Sequence, residues 1–424
     1  MNRAEEAQWP EPPGAGPLGD DRWATSIYRP KTVAEVCEAV RQQAERGEAV
    51  YPQGGKTALG YGRPPAKPGA AMDLTGLNRV VDYPHADMTI TVEAGITVSA
   101  LRAILAEHRQ RLLIDVPQPQ RATIGGAQAT AVCGPRRFGL GRPRDQIVGV
   151  SFVTSEGVEV KGGGRVVKNV AGYDFPKLLT GSLGTLGVIT QMTLKVRPVA
   201  DASALLWIPV PNAETLEQWL SGLNASKTRP IAVDVLSPAA AWEIGSGVGL
   251  EANGSSILVV GFEDNADSVA WQIDEFGREI GRRNFEVLRD AHAEPLWSAL
   301  TERQAEDSGA FSCVANLRPS RVVAFLEGLD SERWSALARA GNGIIHIKAI
   351  GDWTEDQAGE AVDALRAAAV RDGGNLIVDR CPTPWKNRLR VWGEPRPDWA
   401  LAAGIKRALD PKGLMNPGRF VVDI

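Results

Sequence analysis

The chain has 424 residues, 43% hydrophobic and 23% charged, and 47 Lys and Arg against 51 Asp and Glu leave a net charge of −4. That length fits two to three domains with a core large enough to enclose a cavity. The slightly acidic balance argues against nucleic acid or an anionic membrane as main partner, and 45 glycines with 28 prolines exclude a helical bundle or coiled coil.

Residues 1–24, rich in Pro, Gly and acid, read as a disordered arm. Thr32 then stands as an N-cap with Glu35 three residues on, opening a helix whose apolar positions are Val33, Val36, Cys37 and Val40. A short strand, Ala49–Pro52, runs into Gln53-Gly54-Gly55-Lys56-Thr57. Short strands fill 72–92, and Thr97 caps a helix to Ala106. A hairpin joins Ile147–Thr154 to Val158–Lys161, a short helix covers Asp174–Leu179, and Val188–Val196 is a long strand. From 203 to 380 strands at 205–210, 231–236, 257–262, 311–317, 344–349 and 376–378 alternate with helices near 213–222, 267–282, 321–328 and 355–371. The tail ends a helix at Asp410-Pro411 and continues into Asn416-Pro417-Gly418-Arg419.

Four cysteines, Cys37, Cys133, Cys313 and Cys381, show neither C-x-x-C spacing nor a disulfide framework, so no iron–sulfur or zinc ligand set is legible. Any electrons the chain handles must pass through a bound organic cofactor. No stretch approaches the ~18 apolar residues of a membrane span, and the N-terminus lacks an apolar signal core. A cytoplasmic protein without direct membrane insertion is the expectation.

Three segments carry chemistry. In Tyr51-Pro52-Gln53-Gly54-Gly55-Lys56-Thr57 a strand opens into a Gly-Gly turn, which either exposes backbone N–H groups to a pyrophosphate or is an ordinary turn. It is no nucleotide-triphosphatase loop, because Val50 stands where the leading glycine belongs and Pro64-Pro65 prevent the following helix. In Ala122–Gly134 all residues but Ile124, Gln128 and Val132 are Gly, Ala, Thr or Cys, suiting either close chain packing or a flat ligand. The third is Gly181-Ser182-Leu183-Gly184-Thr185-Leu186-Gly187-Val188-Ile189. A true G-x-G-x-x-G is missing, since Gly245-Ser246-Gly247-Val248-Gly249 fails at Leu250.

In order, these segments and the terminal Asn-Pro-Gly-Arg resemble the FAD-binding fold of the vanillyl-alcohol oxidase / p-cresol methylhydroxylase family. Val167-Lys168-Asn169-Val170-Ala171-Gly172-Tyr173-Asp174 and Ala131-Val132-Cys133-Gly134-Pro135-Arg136-Arg137 resemble the FAD-binding subunits of bacterial glycolate oxidases (GlcE-like). The resemblance covers about residues 25–199 and 405–420 and is thin across 200–385. It implies an α+β fold: an FAD-binding domain of the p-cresol methylhydroxylase type over 25–199, in two α+β subdomains of about 25–110 and 111–199. An α+β cap domain at 200–385 and a C-terminal return at 386–424 complete it.

The resemblance also implies roles. Pro52, Gln53, Gly54, Gly55, Lys56 and Thr57 would cradle the FAD pyrophosphate through backbone amides. Thr123, Ile124, Gly125, Gly126, Ala129 and Gly134 would lie along the diphosphate, ribityl chain and flavin. Gly187 and Ile189 would meet the adenine end, and Asn416 would return near the ring. Relatives with covalent flavin often place a His in the Gly-Gly loop, where this chain has Gln53-Gly54-Gly55-Lys56-Thr57, so FAD is expected to be non-covalent. Cys133 is read as a buried thiol rather than a flavin thioether.

Related 2-hydroxy-acid dehydrogenases carry a metal-binding motif ending Gly-Asp-Gly-Asn-Leu-His. Here Gly341-Asn342-Gly343-Ile344-Ile345-His346 keeps the outline with Asn342 for the acid and no second ligand histidine, so no metal is expected. His346 is a catalytic candidate or a plain strand histidine. Arg136, Arg137, Arg142 and Arg144 read as a solvated basic loop, a phosphate contact or a docking site for an acidic partner. The implied function is an FAD subunit converting glycolate to glyoxylate. A sister FAD-containing catalytic subunit and an iron–sulfur subunit would accompany it, and through them it would sit in the cytoplasm or peripherally at the inner face of the membrane. The alternatives are a self-sufficient flavin dehydrogenase of another small 2-hydroxy acid and a non-catalytic electron-relay subunit.

Overall fold

The computed structural model describes residues 16–164, 172–306 and 308–421. Val167–Ala171 of the Gly-Tyr-Asp motif and the first fifteen residues of the expected arm lie outside these. The arm expectation needs correction from residue 16 on. Pro17–Gly19 and Arg22–Trp23 form a small antiparallel ribbon, with Leu18 1% exposed, because buried Leu18 and Ala24 give this stretch an apolar anchor.

Three sheets follow. The first is parallel, with Gly69–Asp73 between Ser26–Tyr28 and Ala49–Gln53. Its outer strands are joined by the helix Val33–Arg46. Thr32 caps that helix by accepting from Glu35 N–H at 3.2 Å, and Gly47 ends it at φ +69, where a Cβ would be strained. The C-terminus returns to this sheet: Val50 N–H donates to Leu414 (2.8 Å) and Asn416 N–H to Val50 (2.9 Å), so the tail lies beside the strand that leads into the Gly-Gly turn.

The second sheet is antiparallel, in the order Glu159–Gly163, Ile147–Val153, Val188–Pro198, Thr89–Glu93 and Val80–Asp82, with Gln110–Leu112 pairing the far end of Val188–Pro198. The subdomain boundary therefore falls between Asp73 and Val80, not near 110. The physical reason is packing: Ile90 and Val92 share one buried cluster with Met192 and Leu194, which draws the strands after residue 80 into this sheet.

The third sheet is the cap. Its eight antiparallel strands run Glu286–Arg289, Ala202–Pro209, Ile257–Asp264, Ala232–Leu236, Trp334–Arg339, Ile344–Ala349, Ser312–Asn316 and Asn375–Arg380. One face packs against helices that include Ala266–Glu279 and Glu355–Arg371. Half of the other face is covered by Pro238–Val248 and Glu294–Glu302. The glycines of Gly245-Ser246-Gly247 sit inside the helix Pro238–Val248, which Ser237 caps. Leu389 and Val391 belong to the cap core, so the cap reaches past 385 to about 391. No helix among the described residues is long and apolar enough to cross a membrane.

Buried ionic knots bind these parts. Lys406 Nζ lies 2.7 Å from Asp410 Oδ2 and donates to the Thr185 and Met415 carbonyls, while the same carboxylate accepts from Leu414 and Met415 N–H. Arg136 is 2.9 Å from Asp115 and 2.7 Å from Glu263 of the cap, and its guanidinium lies 3.8 Å above the Trp297 ring. The solvated-loop reading is thus corrected for Arg136: the carboxylates and the ring offset its desolvation.

Candidate functional site

A cleft runs where the parallel sheet, the second sheet and the C-terminal return meet. Of the residues expected at the cofactor, Pro52, Gln53, Gly54, Gly55, Lys56, Thr57, Thr123, Gly125, Gly126, Ala129, Gly187, Ile189 and Asn416 all line it. Two do not. Ile124 is fully buried in the core of the second sheet, because the helix Ile124–Thr130 turns Gly125, Gly126, Ala129 and Thr130 to the cleft and Ile124 and Ala127 away. Gly134 instead packs beside Asp115 and Thr301, where a Cβ would come 2.5 Å from the Asp115 Cβ. Tyr51, Leu183, Gly184 and Arg419, which belong to the same segments, join the walls without having been assigned a role, and Leu59 and Tyr61, which the sequence did not single out, line them too.

The Gly-Gly turn and the small-residue segment are one construction. A Cβ on Gly54 would overlap the Thr123 hydroxyl, and one on Gly55 the Arg121 carbonyl, so the two segments approach as only glycines allow. Lys56 sits at φ +59, with Nζ 3.7 Å from Asp73. Gly187, at φ +152, has Phe152 and Val153 within 2.8 Å of where a Cβ would stand. Asn416 Nδ2 donates to the Leu183 carbonyl at 2.5 Å, closing the cleft from the C-terminal side.

This cleft suits a dinucleotide's linked phosphates. Among the described residues the N–H groups of Gly54, Gly55, Lys56 and Thr57 have no acceptor. In the wall of the same cleft the buried Gln53 Oε1 also goes without a hydrogen-bond partner. A buried polar atom left unpaired is costly unless a ligand completes it.

The cleft opens into a second cavity of ≈ 950 Å3, shared through Lys56, Thr57, Ala58, Leu59, Tyr61, Gly126 and Thr130. Its roof is the part of the cap sheet left uncovered by helices. Register places Leu337, His346, Val314 and Ile377 in one row across four strands, and Arg339, Ile344, Asn316 and Asn375 in the next. Ser312 pairs with Arg380 and Cys313 with Val378, so Asp379 is the extra residue of a bulge, and both Asp379 and Arg380 line the cavity. A bulge is a common device for re-aiming a side chain.

The electrostatics of the roof differ from end to end. Burial first, then the guanidiniums of Arg339, Arg303 and Arg137, push the His346 imidazole down to about 3, so it is neutral throughout the physiological range. At the other end, burial pushes Asp379 up to about 6, against the pull of Arg380, of the Ser312 hydroxyl at 3.4 Å and of Lys386. His346 is therefore a poor proton acceptor and Asp379 a good one. The sequence held little signal for Asp379, which a one-residue register shift brings into the cavity.

Cys133 also lines this cavity, as does Arg137, whose Nη1 lies 3.1 Å from the Cys133 Sγ. Cys133 is half-buried, not enclosed in the core. Among the described residues no cluster of three or more His, Cys, Asp or Glu side chains could hold a metal ion.

Residues 24–163 match the family of FAD binding domains. The chain is 27% identical to D-2-hydroxyglutarate dehydrogenase of Xanthomonas citri pv. viticola, an alignment covering 94% of this chain and 90% of that one. It is 35% identical over 170 residues to glycolate oxidase subunit GlcE of Escherichia coli, covering 40% of this chain and 48% of the relative. Alkyldihydroxyacetonephosphate synthase, a solved structure, superposes at a TM-score of 0.65 over 93% of this chain and 77% of its own, with 18% identity, which shows a common fold.

Proposed function

We propose, from the premise that this chain is an FAD-binding oxidoreductase of the p-cresol methylhydroxylase type, that it oxidises a small 2-hydroxy acid, glycolate to glyoxylate being the leading case. The observation behind this is the continuity of the nucleotide cleft with a cavity roofed by Asp379, His346 and guanidinium groups. Bound FAD, held non-covalently, supplies the two-electron acceptor for hydride leaving the carbinol carbon.

The chain's own residues supply the rest. Free N–H groups of the Gly-Gly turn hold the linked phosphates. Asp379, ionised above about pH 6 and turned inward by its bulge, takes the hydroxyl proton. His346 stays neutral and offers a hydrogen bond without adding charge. The cationic surroundings of His346 favour the substrate carboxylate.

Likeness to a glycolate oxidase subunit supports action within a complex. There a sister FAD-containing catalytic subunit and an iron–sulfur subunit would pass the electrons on, in the cytoplasm or held at the membrane's inner face by those partners. Near full-length likeness to D-2-hydroxyglutarate dehydrogenase supports a second reading, a self-sufficient dehydrogenase. Anaerobic titration of the purified FAD-loaded chain with glycolate and with D-2-hydroxyglutarate separates them. Bleaching of the flavin band by the isolated chain establishes self-sufficient reduction. Bleaching only after the sister subunit is added establishes the complex, and no bleaching by any 2-hydroxy acid in either preparation refutes both.

A further inference from the structure

We infer that Arg137 is the residue that anchors the substrate's carboxylate, an assignment that rests on the 2-hydroxy-acid reading above and deepens it. Three guanidiniums bear on His346, and two are already neutralised. Arg339 lies 2.5 Å from Asp234, and Arg303 lies 2.8 Å from Glu243 and 2.9 Å from Glu306. Among the described residues Arg137 has no carboxylate partner. Its Nη1 reaches only the Cys133 sulfur, a weak acceptor, and its Nε is buried with no hydrogen bond. A guanidinium with unmet buried donors is costly in a resting fold and is repaid when a planar carboxylate accepts two of its N–H groups at once.

The position of Arg137 is fixed from both sides. Immediately before it, Arg136 is locked to Asp115 and Glu263 and lies over Trp297. Immediately after it, Phe138 fills the space beside Gly341, where a Cβ would overlap the ring, and Gly139 N–H donates to the Ile231 carbonyl at 3.0 Å. The side chain is thus presented to the cavity by a turn that is tied to the cap on either side.

A consequence follows for His346. The Asp234, Glu243 and Glu306 carboxylates already offset Arg339 and Arg303, so of these three guanidiniums Arg137 is the one left uncompensated among the described residues. A substrate carboxylate on Arg137 neutralises it and raises the proton affinity of His346 in the complex above that in the free protein.

The test uses the full-length FAD-loaded protein and oxalate as a binding probe, measured by calorimetric titration. R137M weakens oxalate binding about 100-fold and R137K about 10-fold, with FAD content per chain unchanged by absorbance. Ethylene glycol, which lacks a carboxylate, shows no difference between wild type and either variant. Partial recovery of oxalate binding in R137M by millimolar guanidinium supports the assignment against a folding defect. Undiminished oxalate binding by R137M and R137K overturns it, as does a wild type that binds no oxalate. A wild type that binds oxalate through Arg137, yet whose flavin no 2-hydroxy acid bleaches alone or with partners, keeps the anion site and refutes the activity.

Discussion

Lys386 Nζ lies 2.5 Å from Asp20 Oδ1, joining the end of the cap to the N-terminal ribbon, and both side chains are 3% exposed. Arg419 Nη1 lies 2.7 Å from the other oxygen of the same carboxylate. Lys386 also donates to the Gly60 and Gly62 carbonyls at 2.5 and 2.8 Å. One acid thus holds two cations, and through them the loop that follows the Gly-Gly turn.

Replacing that acid leaves two buried cations without compensation, a loss of about 3–5 kcal/mol for breaking a buried pair from one side. Asp20→Asn therefore lowers the midpoint of thermal unfolding by several degrees. It also weakens FAD, because the 58–62 loop loses its tether. Calorimetry and a fluorescence titration with FAD check both effects.

Gly55→Ala abolishes FAD retention, since its Cβ has no room against the Arg121 carbonyl. Gly60→Ala, in the same loop with nothing within 4 Å of the added carbon, keeps the flavin. The ratio of flavin absorbance to protein absorbance after purification decides. A yellow Gly55→Ala protein contradicts the close approach.

Asp379→Asn trades activity for stability. The folded carboxyl sits at about 6, above the ordinary 3.8, so the folded state binds more protons between those values and its stability falls as pH rises through that window. The amide removes this penalty. In flavin-free protein the variant gains on the order of 3 kcal/mol at pH 7.5 and nothing below about pH 4. Its kcat falls about 100-fold or more, and the acid limb near pH 6 disappears from the pH–rate profile.

His346 behaves oppositely. Its folded value near 3 lies below the ordinary 6.5, so its contribution to stability is present above pH 6.5 and is lost as pH falls. His346→Gln retains the rate limb near pH 6, which belongs to Asp379, while unfolding less readily than wild type at pH 5. Transfer of that limb to His346 in the kinetic profiles refutes the division of roles.

Cys133→Ser keeps bound flavin, and heat denaturation of wild type releases all of it to the supernatant. Flavin that remains with the precipitated chain contradicts non-covalent binding.

The sequence disclosed the cleft better than the cavity. Glycine pairs are visible because backbone approach forbids any other residue, and most segments chosen on that ground meet at one cleft. Trp334-Ser335-Ala336-Leu337-Ala338-Arg339 has the composition of a helix, yet all six residues are buried in a central cap strand, where packing on both faces overrides propensity. Arg137 was visible only as part of a basic run. What separates it from Arg136 is which neighbour found the carboxylates, a matter of tertiary placement. Asp379 depends on a bulge, which no periodicity announces.

Away from the bulge at Asp379, the last three strands of the cap sheet alternate between two neighbourhoods. Ile345, Ile347, Cys313, Ala315, Leu376 and Val378 are buried on the helix-covered side, while Ile344, His346, Ser312, Val314, Asn316 and Ile377 line the cavity. Selectivity and robustness are thereby written on opposite pleats of the same strands. Exchanging residues on the chamber side of this ceiling retunes which molecules fit while leaving the scaffold's foundations untouched, so the architecture can diversify its chemistry by changes that skip every second codon.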